Sequence, residues 1–409
     1  MNREKKNGDG ELKRFQWPPK TPELGEIVKE YIDSGLPLSI ADRSGVYGEL
    51  EDEFARRHNK KFALLTSSGT MALYSAFFAL KLRPGDEVIC TAFSYHATAA
   101  PLLHFGVKIC FCDVEPDTGN LNAELLPSLL SSRTVAVVTN DQWGHPVDKK
   151  KVVSFCKKHN LAYVEDCSHA HFSEYEGKYT GTFGDVACWS LQGNKLLSAG
   201  EGGILLTDDR EIYERAVLLG HNLKRPKVDV KNPAMQGLLR TGFGLKLRIH
   251  PLAALMALYY LKNNCESWIE SRQDTLEYFQ NGLKAETPLL PMAKRPYVTS
   301  MGAWYGFKPR CNFQALNLKR THLVDYMKEK GFNVKIPGSD ILPSYELFRN
   351  AGNYFPDIPP QKVDFQFPGA TIYSQSILSL PTFTFEEDRG TIDKYISEFK
   401  QYFKEYSNV

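Results

Sequence analysis

From Phe62 to Asp166 the chain alternates short apolar runs with amphipathic stretches, and this rhythm constrains the fold more tightly than any other feature. The apolar runs read FALLT, EVICTA, KICFCDV, TVAVVTN and LAYVED; between them stand TMALYSAFFALKL, HATAAPLLHF, AELLPSLL and KKVVSFCKKH, which read as helices. A strand wetted on one face alternates polar and apolar residues. Runs that are apolar throughout belong in a sheet covered on both faces, here a mostly parallel, doubly wound α/β sheet.

The rhythm changes after residue 161. Two closer strands, DVACWSL and GGILLTD, flank a glycine-rich turn, and REIYERAVLLG follows as a helix. Residues 224–239 are polar and non-periodic, which predicts a long loop. A helix over 250–262 continues, after a break, into ESWIESRQDTLEYFQNGLK, a bridge to a smaller domain. Beyond residue 288, short strands (AWYGFKPRCN, NVKI, SILSLP) mix with helices at THLVDYMKEKG and EDRGTIDKYISEFKQYFKEY, an α+β pattern. Upstream, a helix is expected over 22–35 and an amphipathic one at GELEDEFARRHNKK. The expected divisions are an arm over 1–25 that is flexible or clasps a partner, a large domain over 26–265 and a small one over 266–409. At 409 residues two domains sharing a cleft is the natural arrangement.

Fifty basic and 48 acidic side chains leave a net charge of +2, no electrostatic footprint for nucleic acid or an anionic membrane. The one dense run, Lys149-Lys150-Lys151, reads as the solvated start of a helix. The eight cysteines form no pair of C-x-x-C motifs and lie mostly in apolar runs, so they are expected as reduced, buried thiols. The opening stretch lacks the apolar core of a signal peptide, and no run approaches the ~20 apolar residues of a membrane span. The expectation is a soluble cytoplasmic protein.

Three stretches could carry chemistry. TSSGT, at 66–70, sits where a strand gives way to a helix, and a helix N-terminus offers free N–H groups to phosphate. Ser67, Ser68 and Thr70 add hydroxyls, and Gly69 allows close approach; taken alone, the stretch reads first as an ordinary N-cap. LAYVEDCSHAH places Glu165 and Asp166 at the carboxyl end of a strand, where α/β proteins put their ligands. Asp166, His169 and His171 together do not have a recognised metal spacing, and no metal is expected. In CWSLQGNKLLSAGEGG, Lys195 follows a strand closely and precedes Gly200, Gly202 and Gly203. A lysine in such a pocket can lose its charge by desolvation and become nucleophilic. A phosphate cradle, a carboxylate and a pocket lysine on one sheet are what pyridoxal phosphate needs: an anchored phosphate, a protonated ring nitrogen and a captured aldehyde.

The combination of SSGTMAL, RPGDEVICTAFSYHATA, VEDCSHAH, GKYTGTFGDVACWSLQGNK, GEGGILLTDD and ILSLPTF resembles the sugar-aminotransferase family called DegT/DnrJ/StrS, a branch of the fold-type I pyridoxal-phosphate enzymes. The resemblance runs from about residue 45 to residue 381. It implies Lys195 as the Schiff-base lysine and Asp166 as the partner of the pyridinium nitrogen. Gly69, Thr70 and Ser190, with Ser68 beside them, would bind phosphate, Tyr95 would stack on the cofactor face, and His169 would approach its phenolic oxygen. The segment GLKLRIHPLAA would reach a neighbouring subunit, making Lys246 and Arg248 candidates for contact in trans.

What the resemblance implies is a homodimer with shared active sites that uses pyridoxal phosphate to move an amino group from L-glutamate or L-glutamine to a keto sugar or sugar-derived ketone. Lys195 would act as general base at the donor's Cα. One branch carries histidine at the lysine position and dehydrates sugars; this chain keeps lysine. A sugar dehydratase, a cyclitol (inosose) aminotransferase and a catalytically silent sugar-binding relative stand as alternatives. The stretches around His250-Pro251 and GHNLKRP depart from the family pattern beside the expected substrate pocket.

Overall fold

The computed structural model of the protein describes residues 15–358 and 366–407. Its centre is a seven-stranded sheet: β1 (Phe62–Thr66), β2 (Glu87–Thr91), β3 (Lys108–Cys112), β4 (Thr134–Asn140), β5 (Ala162–Asp166), β6 (Val186–Ser190) and β7 (Gly203–Thr207). The spatial order is β1-β7-β6-β5-β4-β2-β3. From β6 to β3 all neighbours are parallel, and β7 runs against both strands beside it. The mostly parallel sheet expected from the apolar runs is the one observed.

Period-two alternation sends successive side chains to opposite faces, and both faces are covered. Leu64, Val88, Val164, Cys188 and Leu205 pack under helices α3 (Gly69–Ala79) and α5 (Arg210–Leu218). Leu65, Trp189 and Leu206 pack under α2 (Val46–Arg57) and α6 (Pro251–Asn263), while Ile89, Val137 and Tyr163 meet α4 (Lys149–His159). Local signals place the helix starts. Ser68 Oγ accepts from the Met71 amide at α3, and Asp209 caps α5 by accepting from Glu211 and Ile212. An upstream helix, α1 (Pro22–Asp33), begins with proline at its first turn.

Helix α7 (Cys265–Glu286) spans two cores: Trp268 packs with the sheet-side residues Leu65 and Trp189, Leu276 and Phe279 with a second cluster. The second core gathers Phe307, Leu323, Leu378 and Phe399, with α8 (Arg320–Glu329), α9 (Pro368–Ser376) and α10 (Arg389–Tyr406). The first fourteen residues of the expected arm lie outside the described residues. Its end does not stand free: Phe15 packs edge-on to Phe383 and Trp17 on Trp268. All eight cysteines are unpaired thiols, seven of them buried. Among the described residues no helix is long and apolar enough to cross a membrane.

Four expectations are corrected. Residues 96–105 and 123–129 form 3₁₀ turns and a four-residue helix rather than full helices. Pro101 and Pro127 lack the N–H that a longer ladder needs. The loop expected over 224–239 holds a helix at Lys224–Asp229 and a 3₁₀ segment at Pro233–Leu238. Arg225 orders it by burying its guanidinium against Glu51 and Asp229. The three small-domain strands reduce to isolated bridges, such as Phe307 to Leu380 and Lys335 to Ser379. Lys149, read as solvated, is fully buried: its Nζ lies 2.7 Å from Asp141 and 2.8 Å from Glu165.

Candidate active site

A cavity of about 790 Å³ opens at the carboxyl ends of β4, β5 and β6, where parallel sheets present their ligands. Asn140, Asp166 and Ser190 end those three strands and line it. Six further sequence candidates line the same space: Ser68, Gly69, Thr70, Tyr95, His169 and Lys195.

The phosphate-type cradle is built by close packing. A Cβ on Gly69 would fall 2.8 Å from Ser190 Cβ and 2.9 Å from its Cα, so only glycine lets α3 start against the end of β6. Gly203 serves the same junction, since a Cβ there would lie 2.2 Å from the Ser68 carbonyl oxygen. The hydroxyls of Ser68, Thr70 and Ser190 thus meet at the positive end of α3.

Asp166 is oriented by two donors. Thr98 Oγ1 donates to Oδ2 at 2.7 Å and the Ser168 amide to Oδ1 at 3.1 Å; Thr98 also shares a 2.8 Å bond with Ser94 Oγ. Lys195 is only 6% exposed, and burial pushes its amine down to about 7 against the partial pull of Asp166. The loop carrying it is pinned by its own amide to Gln192 and by Gly193 to Gly200, both backbone bonds. Trp17 Nε1 donates to the Lys195 carbonyl at 3.0 Å. The Lys195 Nζ sits 3.6 Å from the centre of the Tyr305 ring.

His169, Trp143 and Tyr305 form a shelf of near-parallel rings. His169 stacks 4.9 Å from Trp143 and 4.3 Å from Tyr305. Burial, then the charges of Lys195 and Lys308, hold its imidazole neutral, and among the described residues its Nδ1 has no hydrogen-bond partner. His171 is likewise held neutral, down to about 3. It does not line the cavity, so Asp166, His169 and His171 do not converge as ligands.

Among the described residues the carboxylates and thiol that do converge are Asp141, Glu165 and Cys167. The ammonium of Lys149 already stands between the two acids.

Besides Ser67, Glu165 and His171, the two candidates for contact in trans do not line this cavity. Lys246 is exposed, and Arg248 donates to the Ile40 carbonyl at 2.8 Å. Sequence reasoning also missed residues that do: Thr98, Trp143, Arg272, Tyr305 and Lys308. Thr98 stands three positions after Tyr95, within reach of the loop reading. The others come from distant segments and give no local signal.

A profile of the DegT/DnrJ/EryC1/StrS aminotransferase family matches residues 37–388. The chain belongs to this family. Members of the DegT/DnrJ/EryC1/StrS family use pyridoxal phosphate. The GDP-perosamine synthase of Escherichia coli O157:H7 is 34% identical over 201 residues, 49% of this chain and 55% of that protein. The chain thus spans about half the length of that relative. The spore coat polysaccharide biosynthesis protein SpsC of Bacillus subtilis is 26% identical over 393 residues, 92% of this chain and 94% of that one. An aminotransferase structure from Psychrobacter cryohalolentis superposes with a TM-score of 0.84 at 22% identity, covering 96% of this chain and 99% of the other. The fold is therefore that of a DegT/DnrJ/EryC1/StrS aminotransferase. The site fits the cofactor on its own terms: among the described residues, a buried amine without an ion-pair partner and an orphaned His169 Nδ1, with an anchored carboxylate and a glycine-shaped anion cradle.

Proposed function

We propose that this protein is a pyridoxal-phosphate aminotransferase that moves an amino group from L-glutamate or L-glutamine to a keto sugar or a sugar-derived ketone. The observation that carries it is Lys195: a buried amine with its pKa brought near neutrality, across the cavity from an anchored Asp166. Bound pyridoxal phosphate would supply an electron-withdrawing ring that lowers the cost of removing the donor's Cα proton.

The chain's own residues do the rest. A lysine near pKa 7 is partly neutral at physiological pH, so Lys195 Nζ can attack an aldehyde and can accept a proton as general base. Asp166, fixed by Thr98 and Ser168, is placed to hold a proton on a ring nitrogen. Ser68, Thr70, Ser190 and the α3 amides are placed to hold the phosphate, with Tyr95 and the neutral His169 beside the ring. Retention of lysine at position 195, a primary amine able to form an imine where histidine cannot, favours transamination over dehydration. The family's shared-site homodimer, with Arg248 and Lys246 reaching the partner, and a cytoplasmic location belong to the same proposal.

Borohydride reduction of the cofactor-loaded protein, followed by peptide mapping, is expected to find the label on Lys195. L-glutamate or L-glutamine alone should convert bound cofactor to its amino form, and a panel of nucleotide-linked keto hexoses and inososes should reverse it. A protein that binds no cofactor, or a Lys195→Ala variant that turns over donor normally, would refute the reading.

A further inference from the structure

The cavity holds a second buried lysine with no part in the chemistry above. Lys308 is 7% exposed and reaches in from the small-domain side. Its Nζ donates to Ser379 Oγ at 2.8 Å and lies 4.5 Å from the centre of the Trp143 ring. Among the described residues no carboxylate lies within ion-pairing distance of it, and the nearby charge that acts on it is the like charge of Lys335. Burial, with Lys335, pushes Lys308 down to about 7.

This is a costly way to place a lysine, because an ammonium taken out of water and left unpaired destabilises the fold. The backbone around it is nonetheless built to hold it. Ser379 exchanges both backbone bonds with Lys335, and Phe307 bridges Leu380, which fixes Lys308, Ser379 and Lys335 on adjoining bridged segments. Gly306 leaves the room: a Cβ there would fall 2.6 Å from Trp143 Cε3 and 3.1 Å from Lys308 Nζ. The charges of Lys308 and Lys195 both depress His169, the ring stacked between their aromatic neighbours Trp143 and Tyr305.

We propose that Lys308, seated by Ser379, is the residue that receives a carboxylate of the amino donor. The inference rests on the aminotransferase reading and names the anion site that reading lacks. A deep, compact ammonium with unused donors suits a single carboxylate, whereas a diphosphate needs several donors spread along it. Lys335, exposed at the rim, adds to the attraction without contacting Lys308.

The test uses the cofactor-loaded Lys308→Met variant, with Ser379→Ala as a milder second variant. Glutarate, which carries the donor's carboxylates but no amine, serves as the binding probe in calorimetry. Loss of a charge-assisted hydrogen bond should weaken glutarate binding about 10- to 100-fold in Lys308→Met and by a smaller factor in Ser379→Ala. Half-reactions with L-glutamate and L-glutamine should weaken alongside it. Equal losses place the α-carboxylate on Lys308; a loss confined to glutamate places the side-chain carboxylate there. Thermal stability should hold or rise, since the variant removes an unpaired buried charge. Wild-type glutarate affinity in Lys308→Met, with a lowered melting temperature, would overturn the proposal and mark the lysine as structural. So would an effect confined to the keto-acceptor half-reaction. Borohydride labelling of Lys195 in the same preparations separates this failure from failure of the aminotransferase reading.

Discussion

The Lys149→Met substitution tests the electrostatics behind the candidate site. Lys149 is fully buried between Asp141 and Glu165, themselves 1% and 0% exposed at the side chain. Burial works against all three charges, yet the mutual attraction keeps Lys149 protonated well above its ordinary value and Glu165 ionised. Glu165 also accepts from the amides of Gly181, Phe183 and Gly184, which gives it a firmer hold on its charge than Asp141 has. Burial and the Glu165 charge raise Asp141.

Methionine keeps the volume and leaves two buried carboxylates facing each other without a cation. Removing one partner of a buried ion pair costs about 3–5 kcal/mol. Without the ammonium, desolvation and repulsion raise the folded-state pKa of the carboxylates above the unfolded value. The folded variant then binds more protons than the unfolded chain, so its stability recovers as pH falls through that raised pKa. Urea unfolding of wild type and variant at pH 8 and pH 5.5 should show the gap narrowing at the lower pH. Adding Asp141→Asn should restore part of the loss by removing one of the two charges. A loss under about 1 kcal/mol, or one equal at both pH values, would refute the assignment of Lys149 as the compensating charge.

Three further outcomes follow from the same geometry. Thr98→Val deletes the hydroxyl that donates to Asp166 Oδ2 at 2.7 Å; steady-state assays should show kcat reduced about tenfold or more with the fold intact by circular dichroism. Gly69→Ala drives a Cβ to within 2.8 Å of Ser190 and should weaken cofactor binding about tenfold or more, read by equilibrium dialysis. Because burial lowers Lys195 to about 7, the rate of cofactor capture should climb with pH through that value and level off above it. A capture rate still climbing toward pH 10 would show an ordinary, solvated lysine.

The sheet was legible because its strands are apolar on both faces, a pattern that survives without any knowledge of neighbours. Asp166, Ser190 and Lys195 were legible because each follows such a strand, and strand ends in this topology converge on one edge. Lys149 was misread for the same reliance on local pattern: three lysines in a row look solvated, while Asp141 and Glu165 come from other segments. Residues 224–239 look like a loop until Glu51 supplies a partner for Arg225. Arg272 enters the cavity from the bridging helix, and Lys308 and Tyr305 from beyond it. In the sequence they are a lone lysine, a helical arginine and an aromatic in a glycine-rich run. The resemblance covered these stretches but offered no residue-level match for them.

The indole of Trp17 ties the opening of the chain to the loop that bears Lys195, across a sequence separation of 178 residues. The same ring covers the guanidinium of Arg272, 3.9 Å from its centre, on the helix that spans the two cores. During synthesis Trp17 leaves the ribosome long before either partner exists. Trp17 therefore finds its place only after both partners have been made, and this part of the cavity wall closes once the chain has been translated past Arg272.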